Sequence, residues 1–440
     1  MMYTLFDIKI RLHASNYTKR SINMTLTLQI HDTDKGWLDA AELRFTSPTK
    51  VQIEYDIDYA TDHINRTDLF ALSVNFPVGF KPFKGDIPGY LIDLIPQGNV
   101  LKRLLGRFGI LNEYQYEQIL TEVPLASPGN VRIKEAWDEI ERRRPDYNHL
   151  GFERRDIISA RTDFVTYMEE HGAPIGGTSG AAGGAPKFLL REDDNGKFHA
   201  DGYLDDAKTK RAWLVKFPFT DSDNSKLLLQ TEMHYYNVLR DLGLDTHESL
   251  EWHDDILFIP RFDRIKEDNG TLRYYGLESF YSVHGINTQG VPLSHEDNIK
   301  MILRYSSTPT TDVLEYWLRD IANQALCNLD NHGRNTSLLK GNQSTRLSPV
   351  YDVTAMKFFK NEIITPLTRW DLTRSTIKHQ LQWLLTQKGI DIPSFTSRWN
   401  TFTKQILELP KLLQKNSVPK EIIQLSEPDR REIINQIQAL

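Results

Sequence analysis

The sequence predicts an α+β protein in two lobes, a sheet-rich amino-terminal lobe with an extra subdomain at its start and an all-helical carboxy-terminal lobe. Three observations predict it. A chain of 440 residues is too long for one compact core, so two or three units are expected. Apolar residues recur at every second position through much of the first half, the period of strands buried on one face. Beyond about Tyr275 that period gives way to helical spacing.

Taken in order, Ile8, Ile10 and Leu12, then Met24, Leu26, Leu28 and Ile30, then Val51, Ile53, Tyr55, Ile57 and Tyr59 mark the strands of a first unit, residues 1–150. Within it, Gly89–Phe108 reads as helix interrupted at Pro96 and Gly98, and Asn112–Leu120 as a second helix. The second unit, residues 151–262, contains the glycine-dense segment HGAPIGGTSGAAGGAPKFLL. Its glycines let backbone N–H groups approach an anion closely. The same composition suits a flexible linker, and no Walker or dinucleotide spacing separates the two readings. AWLVKFP, Ala212–Pro218, is a short buried-strand pattern in which Lys216 is the only charge. Ser225 or Asp223 then caps a helix with the stripe Leu228, Tyr235, Tyr236, Leu239 and Leu242. ILFIPRFDRI, from Ile256 to Ile265, is the last strand-like run. In the third unit, residues 263–440, Asp312–Cys327 reads as a helix carrying Trp317, Ile321 and Leu326. Pro428–Leu440 reads as another, with Ile433, Ile434, Ile437 and Leu440 on a core-facing stripe.

Composition narrows the function classes. With 40% apolar and 25% charged residues the chain reads as folded rather than disordered. A net charge of -6 argues against a protein that coats nucleic acid by itself. The one basic cluster, Arg142–Arg144 before Pro145, reads as a solvated helix end. Cys327 is the single cysteine, which rules out an internal disulfide and suits a reducing compartment. The first residues carry Asp7 where a signal peptide needs an apolar core. No apolar run approaches the ~20 residues that span a bilayer. A cytoplasmic protein without a membrane segment is expected.

Chemistry enters with the charges on apolar patterns. Glu232 falls four positions after Leu228 and three before Tyr235, which puts a carboxylate on the buried face of its helix. Such a group needs a cation or a proton, and Lys216 is the nearest partner in chain order. A solvated edge of the stripe is the alternative. A strand lysine paired with a helix glutamate is the device by which protein kinases hold phosphates. Farther on, CNLDNHGRN supplies Asp330 and then Asn335, and SPVYDV supplies Asp352. In phosphoryl transfer one acid orients the attacking hydroxyl and accepts its proton, while an amide and a second acid hold Mg²⁺ through oxygen. The spacing puts the three on a loop and a following strand. An acid followed five residues later by Asn is common by chance. After a glycine loop, a strand lysine and a helix glutamate, in that order, it points to phosphoryl transfer.

Nearly the whole chain resembles the HipA-type serine/threonine kinases of bacterial toxin–antitoxin systems. ALSVNFPV and GYLIDLIPQG resemble that family's N-terminal subdomain, and AGGAPK resembles its phosphate-binding loop. VKFP, RFDR, PLSHED, LDNHGRN and PVYDV follow in the family's order. The resemblance implies a two-lobed protein-kinase-like fold. It also implies Mg-ATP-dependent phosphorylation of a cellular protein, an aminoacyl-tRNA synthetase among the family's targets, and of the kinase itself. Asp330 would be the catalytic acid, with Asn335 and Asp352 holding Mg²⁺. Ala182, Gly183, Gly184, Ala185, Pro186, Lys187, Lys216 and Glu232 would serve the ATP phosphates, and His332, Gly333, Arg334, Asn335, Tyr351 and Asp352 would line the nucleotide. Pro260, Arg261 and Phe262 would meet adenine as a hinge, with Asp263 near the ribose. The family often has an acidic residue where Pro260 stands, which leaves a carbonyl for adenine here.

The family's self-phosphorylated serine falls in register on Gly180, so Ser179 is the candidate, with Thr178 beside it. A separate helix-turn-helix antitoxin (HipB-like) is the implied partner, and DNA would be reached only through it. Two alternatives stand beside the kinase toxin. One is a small-molecule phosphotransferase of the aminoglycoside- or choline-kinase type, which leaves the first ~150 residues needing a role. The other is a catalytically weak nucleotide-binding subunit of a DNA-bound repressor complex, against which the intact Lys216, Asp330, Asn335 and Asp352 count.

Overall fold

The computed structural model describes residues 25–440, less 96–100, 103–104, 107–108, 123–126, 148–150, 160–163, 165–167, 169–185, 289 and 359–365. Ile8, Ile10, Leu12 and the glycine-dense segment through Ala185 therefore lie outside the described residues.

The first sheet is antiparallel throughout, in the order Phe83–Asp86, Lys50–Tyr55, Gly36–Ser47, Thr25–Asp32, Val131–Ile133. Leu26, Leu28 and Ile30 meet Leu43, Val51 and Ile53 in its core, as their period of two requires. That period was expected to run on through Tyr59, but the strand ends at Tyr55. The Asp56 carboxylate accepts from the N–H groups of Asp58 and Tyr59 and caps a short helix, Ile57–Asp62. Ile57 is consequently 72% exposed. A side-chain cap has overridden apolar alternation. The helix Gly89–Ile92 follows within the expected helical stretch, and Tyr116–Glu122 forms the second.

A second antiparallel sheet runs in the order Phe198–Ala200, Lys187–Asp193, Thr209–Lys216, Ile256–Pro260, Glu251–His253. Phe188, Phe198, Trp213, Phe217 and Phe258 fill one face. The helix Asp223–Asp241 is capped by neither Ser225 nor Asp223. Ser222 does it, its hydroxyl accepting from the Ser225 N–H at 3.3 Å. All five residues of the expected stripe are buried. They join the large core of the carboxy-terminal helices rather than the aromatic core of the sheet, so this helix ties the two lobes together.

In that large core, Pro309–Ala325 is buried almost all round, with Trp317 stacked on Trp399 at 4.6 Å. Helices His295–Tyr305, Ile377–Leu384, Ile392–Leu407 and Glu427–Gln438 surround it. Of the expected terminal stripe, Ile433 and Ile437 are buried and Leu440 is exposed. The carboxy-terminal lobe is not all-helical. It holds a three-stranded antiparallel sheet, Gly276–Ser279, Ser337–Gly341 and Ser344–Leu347, and a parallel pair of two-residue strands, Leu293–Ser294 with Thr368–Arg369. SLLKG is buried along its whole length, so no alternation betrays it as a strand. Among the described residues no helix is long and apolar enough to cross a membrane.

Candidate active site

Lys187 and Lys216 are direct partners on neighbouring antiparallel strands, so both ammonium groups stand on one face of the sheet. Like charges placed opposite one another repel, and an acid from the other lobe resolves the conflict. Lys216 Nζ donates to Asp352 Oδ1 at 2.8 Å, and Lys187 Nζ lies 3.9 Å from Asp352 Oδ2. Lys216 also donates to both oxygens of Glu232, at 2.7 and 2.9 Å. The strand lysine and helix glutamate therefore pair, and Glu232 is buried as its spacing predicts.

Burial opposes the Lys216 charge, but Asp352 and Glu232 overcome it and hold the ammonium above the usual lysine range. Burial lowers Lys187 despite the pull of Asp352, with Lys216 adding repulsion. Burial also works against Asp352, yet the two lysines keep its carboxyl well below the usual range. Glu232 is pushed up by burial, against the pull of Lys216.

Asp330, His332, Gly333, Arg334 and Asn335 form a loop between the helix Pro309–Ala325 and the strand Ser337–Gly341. Burial, with Asp352 adding to it, raises the Asp330 carboxyl to about 7. His332 Nε2 lies 3.5 Å from Asp330 Oδ1, and burial lowers its pKa to about 4, so the imidazole is neutral at pH 7. Asn335 Nδ2 donates to the Asp330 carbonyl at 2.7 Å, which fixes the amide; its Oδ1 is buried with no hydrogen-bond partner. Asp352 follows on a loop rather than on the expected strand, with φ at +58°. Such a backbone is uncommon for a non-glycine residue and marks a constrained position. Tyr351 shares a hydrogen bond with Ser337 Oγ at 2.7 Å and donates to the Arg334 carbonyl at 2.6 Å. The loops bearing Asp330 and Asp352 are thus joined.

The remaining donor set suits a hard cation, which wants oxygen ligands. Asn335 Oδ1, which has no partner, and Asp352, which faces the two lysines, are the oxygens that would serve. No group of three or more His, Cys, Asp or Glu among the described residues could hold a metal by itself, so phosphate or water oxygens would complete the shell.

The RFDR segment behaves otherwise. Arg261 donates to Asp263 at 2.9 and 2.6 Å and to Asp201 Oδ2 at 2.9 Å, and Arg264 donates to Asp263 Oδ2 at 3.2 Å. Gly129 N–H donates to the same oxygen at 2.7 Å. Both carboxylate oxygens of Asp263 are engaged in this buried network, so its side chain is not placed for the expected contact with a ribose. The Arg261 guanidinium is likewise committed, leaving backbone at Pro260–Phe262 for a hinge. Phe262 does lie beside the site, its ring 5.8 Å from that of Tyr351. Pro186 and Lys187 are described at the start of their strand, whereas Ala182, Gly183, Gly184, Ala185 and Ser179 lie outside the described residues.

Sequence reasoning missed two supports of the loop. Asn331, beside Asp330, donates to the Thr368 carbonyl at 2.9 Å and accepts from the Thr368 N–H at 3.0 Å. Asp93, from the first unit, reaches Arg334 Nε at 3.4 Å. Asp93 sits within GYLIDLIPQG, but no local spacing ties it to a loop so far along the chain.

The model of the HipA-like C-terminal domain matches residues 179–425, more than half of the chain. The chain belongs to this family. Two Sinorhizobium fredii (strain NBRC 101917 / NGR234) proteins are similar to it. The one named "Putative kinase Y4dM" is 25% identical over 349 residues, 71% of this chain and 76% of that protein. "Putative kinase Y4mE" is 30% identical over 103 residues, 22% of this chain and only 24% of that protein's length. Among solved structures, a chain of the Shewanella oneidensis MR-1 toxin–antitoxin complex of HipA, HipB and operator DNA superposes with a TM-score of 0.60 at 15% identity, covering 94% of this chain and 97% of that one. The two-lobed HipA-like α+β fold is common to both, and this HipA-like chain is of the kinase type.

Proposed function

We propose that this chain is an Mg-ATP-dependent serine/threonine protein kinase that acts as the toxin of a HipA-type toxin–antitoxin pair in the cytoplasm. The observation that carries the reading is the meeting of Lys187, Lys216, Asp352, Asp330 and Asn335 at one point between the lobes. Asn335 Oδ1 and Asp352 would hold Mg²⁺, which supplies charge neutralisation to the phosphates. Lys187 and Lys216 present two ammonium groups on one sheet face to the triphosphate, with Glu232 fixing the second. The glycine segment through Ala182–Pro186 would cover it, and Phe262 and Tyr351 would flank the base beside the Pro260 carbonyl. Asp330, with a carboxyl near 7, is poised to orient a substrate hydroxyl and accept its proton at neutral pH. His332, neutral, accepts at Nδ1 from the Arg334 N–H at 3.1 Å and so shapes the loop.

Among the described residues three apolar cores support a division into an N-terminal subdomain, an ATP-binding lobe and a catalytic lobe, with the helix Asp223–Asp241 of the middle unit packed into the core of the last. Ser179 is proposed as the residue of self-phosphorylation, where added charge of about -1.5 to -2 would oppose ATP's phosphates. The Shewanella relative was solved with HipB and operator DNA, which supports a helix-turn-helix partner here and DNA contact through it.

Incubation with ATP and Mg²⁺, followed by intact-mass analysis of the chain and of candidate substrates, tests the reading. Phosphate on Ser or Thr of the chain or of a protein is the expected result. Phosphate found only on a small alcohol or amine would assign a small-molecule phosphotransferase instead.

A further inference from the structure

GYLIDLIPQG belongs to the first unit, far in sequence from the phosphoryl-transfer residues, yet the fold seats it against their loop. Its helix, Gly89–Ile92, lies flush on the helix Phe280–Val283. A Cβ at Gly89 would stand 2.6 Å from the Ile286 carbonyl and 2.7 Å from Ser282 Cα, so only glycine permits this approach. The second helix is the floor of the loop. Tyr281 N–H donates to the Gly333 carbonyl at 3.3 Å, its ring stacks on His332 at 6.2 Å, and Phe280 N–H donates to the Thr336 carbonyl at 3.0 Å. Gly333 is as tightly seated, since a Cβ there would meet the Tyr281 ring at 2.6 Å.

Asp93 ends the first helix and closes the circuit. Its Oδ2 accepts from the N–H of Ser279, the cap of the second helix, at 3.2 Å, and its Oδ1 faces Arg334 Nε at 3.4 Å. Between the two units lies a chamber of about 40 Å³ lined by Tyr90, Asp93, Asn130, Ser279, Arg334 and Ser337 among others. Two buried polar atoms in that lining, Tyr90 OH and Asn130 Oδ1, have no hydrogen-bond partner, and Asp93 Oδ1 and Arg334 Nε have only each other, paired as ions at 3.4 Å without hydrogen-bond geometry. A chamber of that size has room for ordered water, at roughly 10–15 Å³ each. Unsatisfied groups on both walls make the junction polar and adjustable rather than a sealed apolar contact.

We propose that Asp93 is a positioning residue for phosphoryl transfer: through Arg334 and the Ser279 cap it sets the loop that carries Asp330 and Asn335, making the N-terminal subdomain a working part of the kinase. This rests on the kinase reading above. Asp93 acts through the loop rather than as a ligand of the nucleotide, so its effect weighs more on kcat than on KM for ATP.

The test is steady-state phosphotransfer with varied Mg-ATP for wild type, Asp93→Asn, Arg334→Gln and the double variant, with thermal melts alongside. Each single variant loses about 10- to 100-fold in kcat, the order expected for a slightly misplaced catalytic group, with a smaller change in KM for ATP, since the same loop carries Arg334 and Asn335 toward the nucleotide. The double variant is no worse than its worse parent, because both changes break one link. Arg334→Lys, which keeps the cation but moves its N–H, repeats the split from the loop side if the Asp93 change unfolds the chain. Wild-type kcat in the variants that fold, a loss confined to KM, or losses that multiply in the double variant would overturn the proposal. A wild-type chain that transfers no phosphate strikes the kinase reading itself; an active wild type with an unaffected Asp93→Asn strikes only the positioning role.

Discussion

Two buried ionic clusters in this molecule both set carboxylates against cations, arginines in one and lysines in the other, yet they are finished differently. Around Asp263, two arginines and a backbone N–H occupy both carboxylate oxygens. Arg191 and Arg261 likewise take both oxygens of Asp201, at 2.5 and 2.9 Å. Around Asp352, the books are left open. Two lysines converge on one acid, Asn335 Oδ1 has no partner, and Asp330 titrates near 7. Burial displaces the charges of both clusters, but around Asp263 and Asp201 every carboxylate oxygen is paired and only the donor Arg264 Nε is left over, whereas beside Asp352 an acceptor, Asn335 Oδ1, is left for a ligand. The difference separates scaffold from site better than motif membership does, since both clusters sit in strings shared with the family.

Four substitutions sharpen this contrast. The largest effect on chemistry belongs to Asp330→Asn, which should lower phosphotransfer at least about 10³-fold. The same change should stabilise the nucleotide-free, metal-free fold. The folded carboxyl near 7, against an ordinary 3.8 for aspartate, means that ionisation costs the native state as pH rises through that window. The melting advantage of the variant over wild type should therefore grow from about pH 4 to 7 and level off above; an advantage greatest in acid would contradict the assigned environment.

Next comes Arg261→Ala, which removes one of two cationic partners from each of Asp263 and Asp201, Arg264 and Arg191 remaining. A loss of about 1.5–3 kcal/mol in unfolding free energy is expected, read by denaturant melts, with nucleotide affinity of the folded fraction retained. Lys216→Ala should cost about 10²-fold in phosphotransfer, with a smaller effect on stability because Lys187 still faces Asp352 and Glu232, already pushed up by burial, takes a proton in place of its lost cation. Smallest is Glu232→Gln: Lys216 keeps Asp352 as a partner, so a loss of about 10-fold in turnover, the lower end for one electrostatic contact, is expected in the same assay.

Much of the fold was legible because its periods are local. The strands at Thr25–Asp32 and Lys50–Tyr55, the buried helix at Pro309–Ala325 and the stripe from Leu228 to Leu242 all follow from apolar spacing. The strand Ser337–Gly341 was not legible, because a segment buried on both faces shows no alternation. The break at Asp56 was hidden by a cap that looks like one more polar residue in an alternating run. At the site, Lys216 with Glu232 could be read, since both the apolar context and the helical offset are local. The pairing of Lys187 with Lys216 depends on strand register, and that of Asp93 with Arg334 on how two units dock. Neither quantity is written in a stretch of neighbouring residues. RFDR illustrates the opposite case: the family string suggests Arg261 and Asp263 for the nucleotide, although their side chains pair with each other, Asp201 and Arg264 in a buried network, and only Phe262 stands beside the site.

The contrast between the two clusters is tested most directly by measuring Mg-ATP affinity and melting temperature together, for Asp352→Asn and Arg261→Ala beside wild type. The account predicts that Mg-ATP affinity is lost in Asp352→Asn, whose melt also falls because Lys187 and Lys216 lose the acid between them, and that folded Arg261→Ala keeps its affinity although its melt falls. Wild-type Mg-ATP affinity in Asp352→Asn would contradict it.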